Sequence, residues 1–152
     1  MDTRDRLVIR TLDERDLDRL VKLDQVWSKK NRRLYLQRKL HRALAEADVR
    51  ISLGAELDGF LVGAVLGSVS YGEFGHPEPL AVVDTILVDQ DVARQGIASV
   101  LLEQLLRNLG AFGIETLRTE VSWNDHDLVG FLAHNDFVPV PRIVLERRVT
   151  TA

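Results

Sequence analysis

The chain has no cysteine among its 152 residues. That excludes disulfides, thiol catalysis and any cysteine-based zinc site. It also lacks a basic excess, with 20 Lys and Arg against 23 Asp and Glu and a formal charge of −3. Non-specific nucleic-acid binding usually needs a strongly basic balance, so no nucleic-acid partner is expected. No apolar run approaches the roughly 18 to 20 residues of a membrane span. The opening MDTRDRLVIR has no apolar targeting core. No membrane partner is expected, and a cytoplasmic protein is the default. Low-complexity segments and internal repeats are missing as well. What is left is 45% hydrophobic, enough for the core of a single domain over residues 1–152.

What is there centres on Leu80 to Phe112, LAVVDTILVDQDVARQGIASVLLEQLLRNLGAF. It reads as a buried strand, a short polar connection containing Gly96, and a long apolar helix. A second strand signal, Glu115 to Trp123, follows at once. Strand, helix, strand at this spacing is a βαβ unit whose strands lie parallel. The turn puts the helix N-terminus, Gly96-Ile97-Ala98, at the carboxyl end of the first strand. Free backbone N–H groups and the positive end of the helix dipole make an anion site there, read as the seat of a coenzyme's pyrophosphate. Only Ser99, Glu103 and Arg107 form a polar strip on the helix, which predicts the covered central helix of a layered α/β domain.

Upstream, Leu7 to Leu12 reads as a strand and Asp13 as the cap of an amphipathic helix carrying Leu17, Leu20, Val21, Asp24 and Trp27 on one face. Ser28 is the expected cap of a second helix from Lys29 to Ala47, apolar along Leu36, Leu40, Ala43, Leu44 and Ala47. Its basic residues, among them Arg38, Lys39 and Arg42, read either as a solvated face or as a surface that attracts an acidic substrate or the coenzyme's outer phosphate. Ile51 to Leu57, Asp58-Gly59 and Phe60 to Tyr71 spell a hairpin. Gly63 and Gly67 in its second strand suggest a bulge or a close backbone neighbour. Tyr71 to Pro79 reads as a loop bearing Tyr71, Glu73, Phe74, His76 and Glu78. Downstream, Asp125 caps a helix from His126 to Asn135, Phe137 to Val140 starts a strand, and Arg142 to Val149 is the last one.

Asp84 is the only charge between Leu80 and Val88. A carboxylate inside a buried strand is costly unless it is paired or functional. It therefore reads either as an Asp satisfied by Arg or by backbone amides, or as a catalytic base. No metal site is expected, because His126 and His134 stand eight residues apart rather than at the i, i+4 spacing of a two-His zinc site.

The element order β-α-α-β-β-β-α-β-α-β resembles the GCN5-related N-acetyltransferase (GNAT) family over nearly the whole chain. The resemblance implies a mixed α/β fold, with a central mixed sheet of about six to seven strands flanked by helices and parallel strands splayed into an acetyl-CoA cleft. The family's coenzyme motif is Gln or Arg, two residues, Gly, one residue, then Gly or Ala. Ala93 to Ala98 stand there, with Gly96 and Ala98 in pattern, Ala93 out of it and Arg94 one place late. The resemblance implies that Arg94, Gln95, Gly96, Ile97, Ala98 and Ser99 surround the phosphates. It also implies that the backbone of Ile86, Leu87 and Val88 receives pantetheine as an added strand. The family's second motif finds Asn124 and Phe137 here, one residue further apart than usual and with Asp136 where Gly is common, and the resemblance implies that Asn124 and Phe131 border the coenzyme. The Tyr that often protonates the leaving thiolate is replaced by Phe131 or Leu132, so Tyr71 or water is left for that task.

The activity implied is direct transfer of an acetyl group from acetyl-CoA to a primary amine. Asp84, Glu120 and Glu73 are, in that order, the candidate bases. A backbone amide at Leu87 or Val88 would polarise the thioester carbonyl. The alternative is a GNAT-fold acyl-CoA sensor or interaction module without turnover. The acceptor stays open: Glu73 and Glu78 favour a cationic amine, and the basic second helix favours the reverse. The last strands offer a homodimer contact.

Overall fold

The computed structural model describes residues 2–45 and 51–150, with Glu73 described by its main chain alone. Strands β1 (Leu7–Thr11), β2 (Leu53–Leu57), β3 (Phe60–Glu73), β4 (His76–Val88) and β5 (Leu117–Arg118) form one sheet in chain order. The first four are antiparallel to their neighbours, and β4 and β5 run parallel, as the strand–helix–strand pattern requires. The helices are α1 (Thr3–Arg6), α2 (Leu17–Ser28), α3 (Arg33–Ala45), α4 (Ile97–Ala111) and α5 (His126–His134). The chain divides into two compact units, Met1–Glu120 and Val121–Ala152.

Local chemistry explains most element boundaries in the first unit. Asp58 (φ 52°) and Gly59 (φ 85°) supply the positive φ angles of a two-residue hairpin turn. Phe74 (φ 43°) and Gly75 (φ 83°) repeat the device. The stretch Tyr71 to Pro79 is therefore not a loop but the tip of a second hairpin, with Tyr71 opposite Pro79 and Glu73 opposite His76. Pro77 and Pro79 are tolerated because β5 pairs with β4 only at Ala81 and Val82, which leaves an edge position for a missing donor. Asp13 caps the turn that opens α2, accepting from the Arg15 N–H while Asp16 accepts from the Asp13 N–H (both 2.8 Å). Ser28 does not cap α3. It closes α2, whose chain reverses at Lys29 (φ 61°), and Asn31 instead accepts from the Arg33 N–H at 3.1 Å. Ala47 lies outside the described residues.

Leu20 and Leu23 of α2 and Leu40 of α3 meet Ala64 and Leu66 of β3 in one buried cluster. Gly63, one residue off that alternation, faces Ile97 and Leu101 of α4. Helices thus cover both faces of β3, and each buried leucine contributes about 2 kcal/mol of transfer free energy.

The second unit holds α5, whose first turn is capped by Asp125 accepting from the Leu128 N–H at 3.2 Å. Residues 137–150 form no strand, and β5 is two residues long rather than spanning Glu115 to Trp123. The sheet accordingly has five strands among the described residues, not six to seven. Alternating polarity marks a segment able to pair but supplies no neighbour to pair with, and Pro139 and Pro141 each remove a main-chain donor. Ile143 and Leu145 are more than four-fifths exposed. No described helix is long and apolar enough to cross a membrane.

Candidate functional site

The site begins where β5 leaves β4. The Ala81 N–H donates to the Thr116 carbonyl (2.9 Å), and the Thr119 hydroxyl donates to the Val83 carbonyl (2.8 Å). Beyond Val83 no strand flanks β4 on that side among the described residues. The Asp89 N–H donates to the Val62 carbonyl on β3 at 2.7 Å. Ladder alternation then turns the main-chain groups of Leu87 towards β3 and those of Ile86 and Val88 towards the open edge. Of the three residues expected to receive pantetheine, Leu87 is thus engaged in the ladder. The Val88 carbonyl accepts from the Trp27 indole N–H at 3.0 Å. Trp27, read from sequence only as part of an apolar face, is a half-exposed wall of this edge.

The N-terminus of α4 is built for an anion. Arg94 (φ 67°) and Gly96 (φ 82°) turn the chain into the helix through left-handed backbone. The first helical bond runs from the Val100 N–H to the Gly96 carbonyl (3.0 Å), and no side chain caps this end. The N–H groups of Ile97, Ala98 and Ser99 therefore point outward without helical partners. Gln95 accepts from the Thr3 hydroxyl at 2.5 Å, which ties α1 to this loop. The Arg4 guanidinium rests on Gly96, so closely that a Cβ there would collide with it. A cation at the positive end of a helix is unfavourable by itself and becomes favourable when an anion is shared between them. Main-chain donors, a small residue and a guanidinium fit a pyrophosphate. Sequence spacing carried no hint of Arg4, since about ninety residues separate it from the loop it touches.

On the other side of the same strand lies a cavity of about 790 Å³. Leu66 pairs with Thr85 and Gly67 with Val83, so Asp84 is an extra residue on β4, a bulge. Gly67 makes this possible, because a Cβ there would press on the Val82 carbonyl. The bulge breaks the two-residue alternation and turns Asp84 into the cavity with its side chain 45% exposed. The expectation of a buried carboxylate is thereby overturned. Asp84 Oδ1 accepts from Lys39 Nζ (2.7 Å) and from the Thr85 hydroxyl (2.9 Å). Burial works against the charge on Lys39, but its hydrogen bonds to Asp84 and Tyr35 prevail and hold its pKa above the usual lysine range. Asp84 is thus a paired carboxylate, its partner a lysine rather than an arginine.

Both tyrosines of the chain, Tyr35 and Tyr71, line the cavity. Tyr35 is held from behind by a relay. Asp24, 2% exposed, accepts from Arg32 at 2.5 and 2.9 Å, and the Arg32 guanidinium lies 4.8 Å from the Tyr35 ring centre. Hydrogen bonding to Arg32 outweighs burial and keeps the Asp24 carboxyl below the usual carboxylate range.

The other candidates scatter. Glu120 is exposed beyond the end of β5 and does not line the cavity. Glu73 ends β3, and its side chain lies outside the described set. Arg94 is exposed on the loop before α4. Asn124 and Phe131 belong to the second unit, where Asn124 is exposed and the Phe131 carbonyl accepts from the Asn135 amide at 2.9 Å.

The family model described as the acetyltransferase (GNAT) family matches residues 10–137. No curated protein matches the chain significantly. Among solved structures, an aminoglycoside acetyltransferase from an uncultured soil metagenomic sample, in complex with sisomicin, is 19% identical, with TM-score 0.76 over 99% of this chain and 100% of that one. A ribosomal-protein-alanine N-acetyltransferase from Brucella melitensis biovar Abortus 2308 is 22% identical, with TM-score 0.72 over 94% and 99%. An aminoglycoside N-acetyltransferase in complex with CoA is 18% identical, with TM-score 0.73 over 93% and 94%.

Proposed function

The chain belongs to the acetyltransferase (GNAT) family, an acetyl-CoA-dependent family of enzymes, and from that membership we propose that it acetylates a primary amine by direct attack on the thioester. The observation that carries this reading is the Asp84 bulge. It presents backbone to an open strand edge and a carboxylate to a cavity across the same strand.

Acetyl-CoA supplies the activated acetyl group. The outward N–H groups of Ile97, Ala98 and Ser99, with Arg4, hold its pyrophosphate. The open edge at Ile86 and Val88 takes its pantetheine arm in the manner of strand addition. The acceptor enters from the cavity as an ammonium and must lose a proton before its nitrogen can attack. Asp84 Oδ2, the oxygen that Lys39 and Thr85 leave free, receives that proton. The new N–C bond forms as the C–S bond breaks. Of the two protons the ammonium gives up, one ends on the CoA thiol and the other reaches solvent through Asp84. Tyr71, on the cavity wall, or water delivers the thiol proton. The Val88 amide faces the edge where charge builds on the carbonyl oxygen.

One observation favours a second reading, an acyl-CoA-binding module. Phe131 and Leu132 stand where the family often has its proton-donating Tyr, and neither side chain carries a proton to give.

Thermal shift with acetyl-CoA, CoA and ATP, followed by thiol release in the presence of amines, tests both. A rise in Tm with the first two ligands and not with ATP, plus amine-dependent thiol release, supports the transferase. The same shift without amine-dependent release selects the binding module, and no shift with any ligand overturns both.

A further inference from the structure

The cavity carries a charge pattern that selects its guest. Among the described residues four charged side chains line it: Arg38, Lys39, Arg42 and Asp84. Lys39 and Asp84 neutralise one another at 2.7 Å. The other ionisable cations along α3 have carboxylates in the fold, Arg33 with Asp18 at 2.7 Å and His41 beside Glu14 at 3.5 Å. Arg38 and Arg42 have no carboxylate partner among the described residues, although they stand one turn apart with like charge. Helix α3 itself contains no Asp or Glu. Two adjacent guanidiniums that line the cavity with no carboxylate partner among the described residues form a fork suited to a carboxylate or phosphoryl group. The rest of the described lining is mostly apolar and aromatic, including Leu34, Ile51, Leu66 and the two tyrosines.

Resting on the acetyltransferase reading above, we propose that the acceptor is a small primary amine that also carries a carboxylate or phosphoryl group. The anionic group is held by Arg38 and Arg42, and the amine is directed to Asp84. Placement favours one side of the two-sided argument from sequence. Arg38, Lys39 and Arg42 of the basic helix line the cavity, whereas Glu78 is not among its described lining residues. A polycationic acceptor meets two arginines without a carboxylate partner among the described residues, and Asp84, with Oδ1 taken by Lys39 and Thr85, offers one oxygen to a single ammonium.

The test uses matched amines that differ by one anionic group: phenylalanine against phenethylamine, and O-phosphoethanolamine against ethanolamine, with spermidine as the polycation. For at least one pair, kcat/KM for the anionic member should exceed that of its neutral twin by about tenfold, the ratio one charge-assisted hydrogen bond supplies. The advantage should vanish in the double variant Arg38→Ala/Arg42→Ala, with acetyl-CoA affinity unchanged. Equal or better turnover of spermidine, or an anion preference that survives the double variant, overturns the proposal. A readout independent of turnover is thermal shift in the presence of CoA. The anionic twins should raise Tm in the wild type and not in the double variant, and no such difference also overturns the proposal. Absence of any acetyl-CoA shift or thiol release counts against the transferase reading alone, because acceptor binding is read separately.

Discussion

Asp84 and Lys39 are close enough for each to alter what the other does, so they have to be separated by experiment. Asp84→Asn keeps the shape of the bulge and removes the proton acceptor. It is expected to lower kcat/KM by roughly a hundredfold or more, the usual contribution of a positioned base, while leaving acetyl-CoA affinity intact. An unchanged kcat/KM across pH would remove Asp84 as the base. Asp24 is the structural counterpart, a 2% exposed carboxylate whose partner Arg32 stacks against a cavity tyrosine. Its Arg32-lowered pKa gives a sign to the pH dependence. The pair stabilises the fold above the ordinary carboxylate pKa, and that contribution is lost as pH falls through the lower folded value. Asp24→Asn should therefore cost about 2 kcal/mol near neutral pH, and its deficit against the wild type should shrink as pH falls towards about 3. Denaturant melts at several pH values read this directly; a deficit that grows on acidification would contradict it.

Among the elements, the loop into α4, the proposed coenzyme site, concentrates strained backbone at Arg94 and Gly96. Gly96→Ala places a Cβ at φ 82° and against the Arg4 guanidinium. Left-handed backbone costs a non-glycine residue about 1 kcal/mol, and displacing Arg4 removes a cation from the anion site. Acetyl-CoA affinity by calorimetry should fall about tenfold, with most of the fold's stability kept. Unchanged affinity would detach Gly96 from the coenzyme. This loop was legible in sequence because its signals are local: a buried strand, a small-residue turn, an apolar helix. The Asp58-Gly59 hairpin was legible for the same reason. The second hairpin was not, because Phe74 is not a residue that composition marks for positive φ and the two prolines argued for a loop. The bulge at Asp84 was out of reach too. It exists only in the register between β3 and β4, although Gly67 had hinted at a close backbone neighbour. The Arg4 contact and the Trp27 hydrogen bond are products of tertiary packing and leave no periodic trace.

Across the whole molecule, apolar burial is unevenly shared. Among the described residues, Leu132 is the only buried hydrophobic side chain of the second unit; the rest lie between Leu12 and Ile114. Val138, Val140, Ile143, Val144, Leu145 and Val149 are all more than half exposed. The segment from 137 to 150 forms no helix or strand, so its main chain is open to solvent and holds little ordering free energy of its own. The alternation in RIVLERRV was readable as a strand, but a strand's stability comes from its ladder, and none is formed. Proteolysis follows exposure and local unfolding rather than position in sequence. Trypsin under native conditions should therefore cut first after Arg147 or Arg148, both exposed, and leave β1 to α4 intact. Intact-mass spectrometry along the digestion reads the order of cleavage, and an early loss of a C-terminal fragment is the expected result. If fragments from β2 to β4 emerged while this segment was still uncut, residues 142–149 would have to be held in a ladder. The exposed Ile143 and Leu145 would then be buried in solution.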